Sequence, residues 1–175
     1  MAATISITDQ DVFAALRTFL LLILPTGTKV IQAQDNRVAI PKGKFVAMTA
    51  RSNERLATNT GSYTDPGTNP GSKGVLTPSK FGIQLDFYGD DSAKWAATTQ
   101  ALMRDGYAFD NFPTGIKPLY ADDPVQIPLI NGEQQYEQRW KLEVMLQINP
   151  VVTVAQDFSD ALSVNIINVE ATYPV

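Results

Sequence analysis

One stretch constrains this chain more than any other. From Glu137 to Ile148, the residues Gln138, Trp140, Leu142, Val144, Leu146 and Ile148 alternate with Glu137, Arg139, Lys141, Glu143, Met145 and Gln147. A period of two sends successive side chains to opposite faces of a strand. From Trp140 onward one face is therefore apolar and the other mostly charged or polar. Strands usually run ~5–6 residues, and this one continues for about a dozen, so part of it is expected to project beyond the core. Asn149-Pro150 breaks the run and Val151 to Ala155 continues it.

Other segments supply partners for that strand. Ser79 to Tyr88 places Phe81, Ile83, Leu85 and Phe87 on one side and Lys80, Gln84, Asp86 and Tyr88 on the other. Lys44 to Arg51 is apolar on both faces, as an inner strand is. Lys29 to Ala33 reads as extended. Val125 to Ile130 runs into Asn131-Gly132, a strong hairpin signal, with Pro128 expected at an edge or bulge. Leu162 to Thr172 reads as a last strand. Two helices are expected. One spans about Asp9 to Leu24, capped by Thr8 or Asp9, with Val12, Phe13, Leu16, Phe19, Leu20 and Ile23 on a broad stripe. The other spans roughly Ser92 to Asp105, with Gly106 at its end. The resulting class is α+β: a mostly antiparallel sheet with two helices packed on one face, in a single domain over residues 1–175.

The span from Ser52 to Ser79 stands apart. Gly61, Pro66, Gly67, Pro70, Gly71, Gly74 and Pro78 lie among Thr, Ser and Asn, with few large apolar residues to offset the cost of ordering. It is expected to be a long polar loop: a mobile arm, or an excursion between paired strands.

Composition narrows function mainly through what is missing. The chain has no Cys and no His. Disulfides, thiolate zinc sites, Cys nucleophiles and Ser-His-Asp machinery are thereby excluded. With 44% apolar and 18% charged residues it reads as globular, and a net charge of -4 gives no general pull toward nucleic acid or anionic lipid. Basic residues are scattered, so no nucleic-acid readout is expected. The longest apolar run, Val12 to Leu24, carries Arg17 and falls short of the ~20 residues a membrane span needs. No basic stretch precedes it, as a signal peptide would require. The Walker A, G-x-G-x-x-G and G-x-S-x-G patterns do not occur. Asp86, Asp90 and Asp91 could hold Mg²⁺ at a strand end, but Asp90 and Asp91 stand where a helix cap belongs. No catalytic residue, cofactor or metal is expected, and the chain reads as a protein that acts by touching copies of itself and its neighbours.

Three segments carry a family resemblance: Pro128-Leu129-Ile130-Asn131-Gly132-Glu133-Gln134-Gln135-Tyr136-Glu137-Gln138-Arg139-Trp140 running into Leu146 to Val152; Leu85-Asp86-Phe87-Tyr88-Gly89 with the helix behind it; and Phe13-Ala14-Ala15-Leu16-Arg17-Thr18-Phe19-Leu20. Together these resemble the neck or tail-terminator proteins of tailed bacteriophages and prophages. The resemblance implies an α+β virion subunit, made in the host cytoplasm, that forms a ring, commonly a hexamer. Such a ring caps the tail tube, stops its polymerisation and docks the head-tail connector, with sheath as a further partner. The alternative in the same class is another ring of the neck, such as a connector or completion adaptor. A ring needs two different patches per subunit. Tyr136, Glu137, Arg139, Trp140 and Lys141 of the long strand, with Tyr63 and Asp65 of the 52–79 arm, are expected to form one; the first helix or a sheet edge supplies the other. Arg139 and Glu137 would match charge, and Trp140 would anchor.

Overall fold

Three long strands organise the molecule, and each is interrupted at the same level. The computed structural model describes residues 2–34, 41–130, 136–159 and 164. The elements are β1 (Thr4–Ile5), α1 (Asp9–Ile23), β2 (Lys29–Gln32), β3 (Phe45–Arg55), β4 (Thr60–Thr64), β5 (Gly71–Leu76), β6 (Ser79–Tyr88) and α2 (Ser92–Met103). After them come α3 (Gly106–Asn111), β7 (Ile116–Ala121), β8 (Val125–Gln126), β9 (Leu129–Ile130), β10 (Tyr136–Glu137), β11 (Arg139–Ile148) and β12 (Val151–Gln156).

The large sheet has the order β2-β3-β6-β11-β7, with β8 also on β11. Only β2 on β3 is parallel; β6 lies between β3 and β11 in antiparallel register, Tyr88 opposite both Phe45 and Arg139. The second sheet has the order β1-β12-β5-β4. Its β4, β5 and β12 continue β3, β6 and β11 in the same lateral order. Pro78 and Pro150 sit at the junction, where a missing N–H ends a ladder. Leu56 N donates to the Pro78 carbonyl (2.8 Å) and Thr77 N to the Pro150 carbonyl (3.0 Å), so the strands stay together across the break.

The alternation read from the sequence decides the packing. Phe81, Ile83, Leu85 and Phe87 of β6 and Leu142, Val144, Leu146 and Ile148 of β11 share one face, buried under the helices. Onto it α1 lays Val12, Leu16, Phe19 and Leu20, each at most 1% exposed. Side chains of this size contribute roughly 1.5–3 kcal/mol each when fully buried. Thr8 caps α1 in a reciprocal box: its N–H donates to Asp11 Oδ2 (2.7 Å) and its hydroxyl accepts from Asp11 N (3.4 Å). Pro25 follows directly after the C-cap, Leu24. Gly89 turns β6 into α2 at φ +97°, and a Cβ there would lie 2.7 Å from Lys44 Cγ.

Several boundaries differ from expectation. Gly106 does not close the second helix for good; it opens α3, whose first turn is capped by Asp105 accepting from Tyr107 N (2.8 Å). The stretch from Phe109 to Pro118, whose Phe and Pro residues read as irregular, runs into the strand β7. The long alternating strand is divided at Gln138 into β10 and β11. Asp91 is the N-cap of α2 but makes no side-chain cap bond, because its carboxylate is taken by Lys44. The 52–79 span lies between the paired strands β3 and β6, and it carries the last residues of β3, then β4 and β5. The Asn131-Gly132 turn and the strand expected over Leu162 to Thr172 lie outside the described residues. Among the described residues, no helix is long and apolar enough to cross a membrane.

Candidate functional site

The face of the large sheet opposite the helices carries the charges of β6 and β11. Arg139 meets Asp86 on the neighbouring strand, with Nε and Nη2 donating to the same Oδ1 at 3.0 and 2.9 Å. Gln84 Nε2 donates to Oδ2 at 2.8 Å. Asp86 is 4% exposed. Beside this pair the Phe45 and Tyr88 rings stack with centroids 4.4 Å apart, and the Arg139 guanidinium lies over Tyr88. Burial pushes the Tyr88 phenol above its ordinary range, against the opposing pull of Arg139. Further along, Lys141 pairs with Glu143 at 3.4 Å and Lys80 with Glu54 at 3.0 Å. Asp86 is held by an arginine and Asp91 by a lysine, so these carboxylates do not converge on one point. Among the described residues no cluster of acidic side chains could hold a metal.

The small sheet is a different surface. None of β1, β4, β5 or β12 contributes to the hydrophobic core. One face presents Ile5, Gly61, Tyr63, Lys73, Val75, Val152 and Val154; the other is mainly Thr, Ser, Gly and Ala. Tyr63 is 61% exposed and Ile5 53%. Lys73 Nζ sits 5.5 Å above the Tyr63 ring. The β4–β5 tip is held in two ways. Asp65 Oδ1 accepts from Gly67 N (2.8 Å), an Asx turn. Asn69 exchanges two hydrogen bonds with the Phe158 backbone (3.4 and 3.3 Å), tying the tip to the segment after β12. Thr4, Thr64, Pro66, Pro70 and Thr153 help line a shallow groove of about 260 Å³ across this end.

The seven residues singled out from the sequence fall into two places. Glu137, Arg139, Trp140 and Lys141, with the backbone of Tyr136, lie at the start of the long strand, where β10 pairs with β9 and β8 joins β11. Tyr63 and Asp65 lie in the hairpin beyond its far end. At ~3.3 Å per residue β11 alone is about 30 Å long, so the two groups do not form one patch. Arg139 is engaged inside the subunit by Asp86, and Trp140 points to the helix side and packs against the core. Tyr63 was singled out as part of an arm; what sequence reasoning missed is that its segment is a strand, β4, and that β4 and β1 are the edges of a second sheet. Thr-Gly-Ser-Tyr-Thr alternates too weakly to announce a strand, and β1 is two residues long.

A model of the phage neck terminator proteins matches residues 10–173. Among solved structures the fold is similar to that of the sheath/tube terminator of the extracellular contractile injection system PVC in its extended state. The TM-score is 0.53 at 11% sequence identity, over 97% of this chain and 66% of that one. This chain thus spans a little under two thirds of that protein's length. No curated protein matches the chain.

Proposed function

The chain belongs to the phage neck terminator family, and on that premise we propose that it closes the end of a tail tube as a ring of identical subunits. The family is a structural one, a component of the phage neck and tail, and its members are not enzymes. Six copies assemble head to tail, one rim of the ring seats on the last tube ring, and the other receives the head-tail connector. A sheath, where the tail has one, ends at the same ring. Assembly takes place in the host bacterial cytoplasm.

The observation that supports this best is the sheet that continues past the core. A strand triplet held at one end by helices and bare at the other is a subunit with a stable half and a half lacking a core of its own. Small sheets of that kind are marginal alone and gain from packing against a neighbour. A cap must also present two unlike surfaces, one matching the polymer end and one refusing a further layer. The structure separates a helix-covered body from such a projecting sheet.

Purified protein added to polymerising tube protein tests the reading by electron microscopy. Tubes are expected to stop at lengths set by the ratio of the two proteins and to carry a ring at one end. Tubes of unchanged length with bare ends would overturn it.

A further inference from the structure

The two sheets treat their edges differently. An edge strand shows a row of unpaired N–H and C=O groups, and folded chains blunt such rows with Lys, Pro or a cover. The large sheet does this on both sides. β2 carries Lys29, and its Val30 carbonyl accepts from Arg17 Nε at 3.3 Å. β7 holds Lys117 and Pro118, and Arg104 and Gln100 donate to the carbonyls of Ala121 (2.9 Å) and Asp122 (3.2 Å). Among the described residues the small sheet has no such protection. β4 is Thr60-Gly61-Ser62-Tyr63-Thr64, exposed at every residue, without charge or proline, and its outer side has no partner among the described residues. The opposite edge, β1 preceded by Ala2 and Ala3, is also exposed, uncharged and free of proline.

The geometry points to strand addition between copies of this chain, the β4 edge of one subunit taking the β1 edge, residues 2–5, of the next. Direction supports it first. Four strands, each antiparallel to its neighbour, leave β1 and β4 running in opposite senses. A rotation about an axis along the strands then sets β4 beside the next β1 with the antiparallel sense preserved, and the step repeats until it closes. Pairing β4 with β4 would need a two-fold axis and would stop at a dimer. Charge supports it second: neither edge brings a charge into the junction. The side chains support it third. Ile5 and Tyr63 lie on the same face of the sheet, at opposite edges, so strand addition brings these two exposed apolar groups together over Gly61, whose missing side chain leaves room. This inference rests on the ring proposed above and names the contact that builds it.

The chain has no cysteine, so an introduced pair reports without background. Full-length Ile5→Cys/Tyr63→Cys protein, oxidised and run unreduced, is expected to give a ladder of covalent multimers up to the size of the ring. Each single variant should yield dimers at most. Thr60→Lys/Ser62→Lys, which guards the edge as Lys29 guards β2, is expected to weaken assembly at least tenfold by native mass spectrometry with an unchanged thermal melt. Amides of Thr60–Thr64 should exchange slowly in the assembled protein and fast in that variant. A ring that forms no ladder and whose β4 amides exchange freely would overturn strand addition while leaving the ring intact. Tyr63→Cys dimerising as efficiently as the double variant would overturn it in favour of two-fold pairing. Protein that stays monomeric at every concentration would overturn the ring itself, and this contact with it.

Discussion

At the scale of single residues, the Asp86–Arg139 pair carries the highest stakes. Both of its guanidinium bonds end on a carboxylate that water scarcely reaches, and Gln84 satisfies the other oxygen. Removing one member of such a pair leaves a buried charge unmatched, which costs about 3–5 kcal/mol when burial is complete. The Arg139 side chain retains 23% exposure, so Asp86→Ala is expected near the lower end, about 3 kcal/mol, by urea denaturation. Asp86→Leu with Arg139→Met should recover most of that loss, because two apolar groups need no partner. Thr99 argues the opposite way. Its hydroxyl is fully buried on α2 without a hydrogen-bond partner among the described residues. Thr99→Val removes that orphan at nearly constant shape and should raise stability by about 1 kcal/mol; a lower denaturation midpoint would show that the hydroxyl has a use. The alternation of β11 shows that Arg139 leaves the helix-covered face. It cannot show that an aspartate 53 positions earlier in the chain waits there, because strand pairing is a long-range fact. For that reason a residue expected to match charge between subunits turned out to be matched within one.

Among the elements, legibility follows the strength of the periodic signal. β6 and β11 carry large apolar residues at every second position, and α1 carries them at helical spacing, so their buried faces are readable. β4 and β5 bury little, and their Gly, Ser and Thr give no period, so composition suggests an irregular loop where ladder hydrogen bonds join β4 to β5 and β5 to β12. α3 and β7 were hidden by Gly106, Pro113 and Pro118, which look like breaks but stand at a helix start, a turn and a sheet edge. α1 offers a prediction about its own start. Thr8→Ala deletes the cap and should cost roughly 0.5–2 kcal/mol. The Asp11 carboxylate is held below its ordinary range, first by the Thr8 side chain and then by the Thr8 backbone N–H. In the folded state it therefore keeps its charge to lower pH than in the unfolded chain, which binds more protons over that window. Its contribution is complete above the ordinary aspartate range and disappears as the pH falls through the depressed folded value. Wild type and Asp11→Asn should accordingly differ in denaturation midpoint at pH 7 and converge toward pH 3. A difference that persists undiminished at pH 3 would mean that the charge is not what the box uses.

At the scale of the whole molecule, the ring proposed above assigns folding to the helix-backed body and assembly to the bare sheet. Every member of the hydrophobic core cluster lies in α1, α2, α3, the large sheet or the short turns beside them. The β4–β5 hairpin therefore adds little to the burial that drives folding, although it occupies the middle of the sequence. β3 and β6 remain paired as far as Arg55 opposite Ser79, and Leu56 N still reaches the Pro78 carbonyl. Replacing residues 57–77 by Asn-Gly should let these two strands close directly, since that dipeptide favours the tight turn a hairpin needs. The shortened chain is expected to melt cooperatively, within a few degrees of the full-length protein, and to run as a monomer in light scattering at concentrations where the full chain is expected to form rings. It should also fail to halt tube growth. Loss of cooperative melting would show that the projecting sheet helps to fold the body. A shortened chain that still forms rings would place the subunit contact on the body, and the exposed Leu22, Tyr107 and Phe109 around α1 and α3 would become the surface to mutate next.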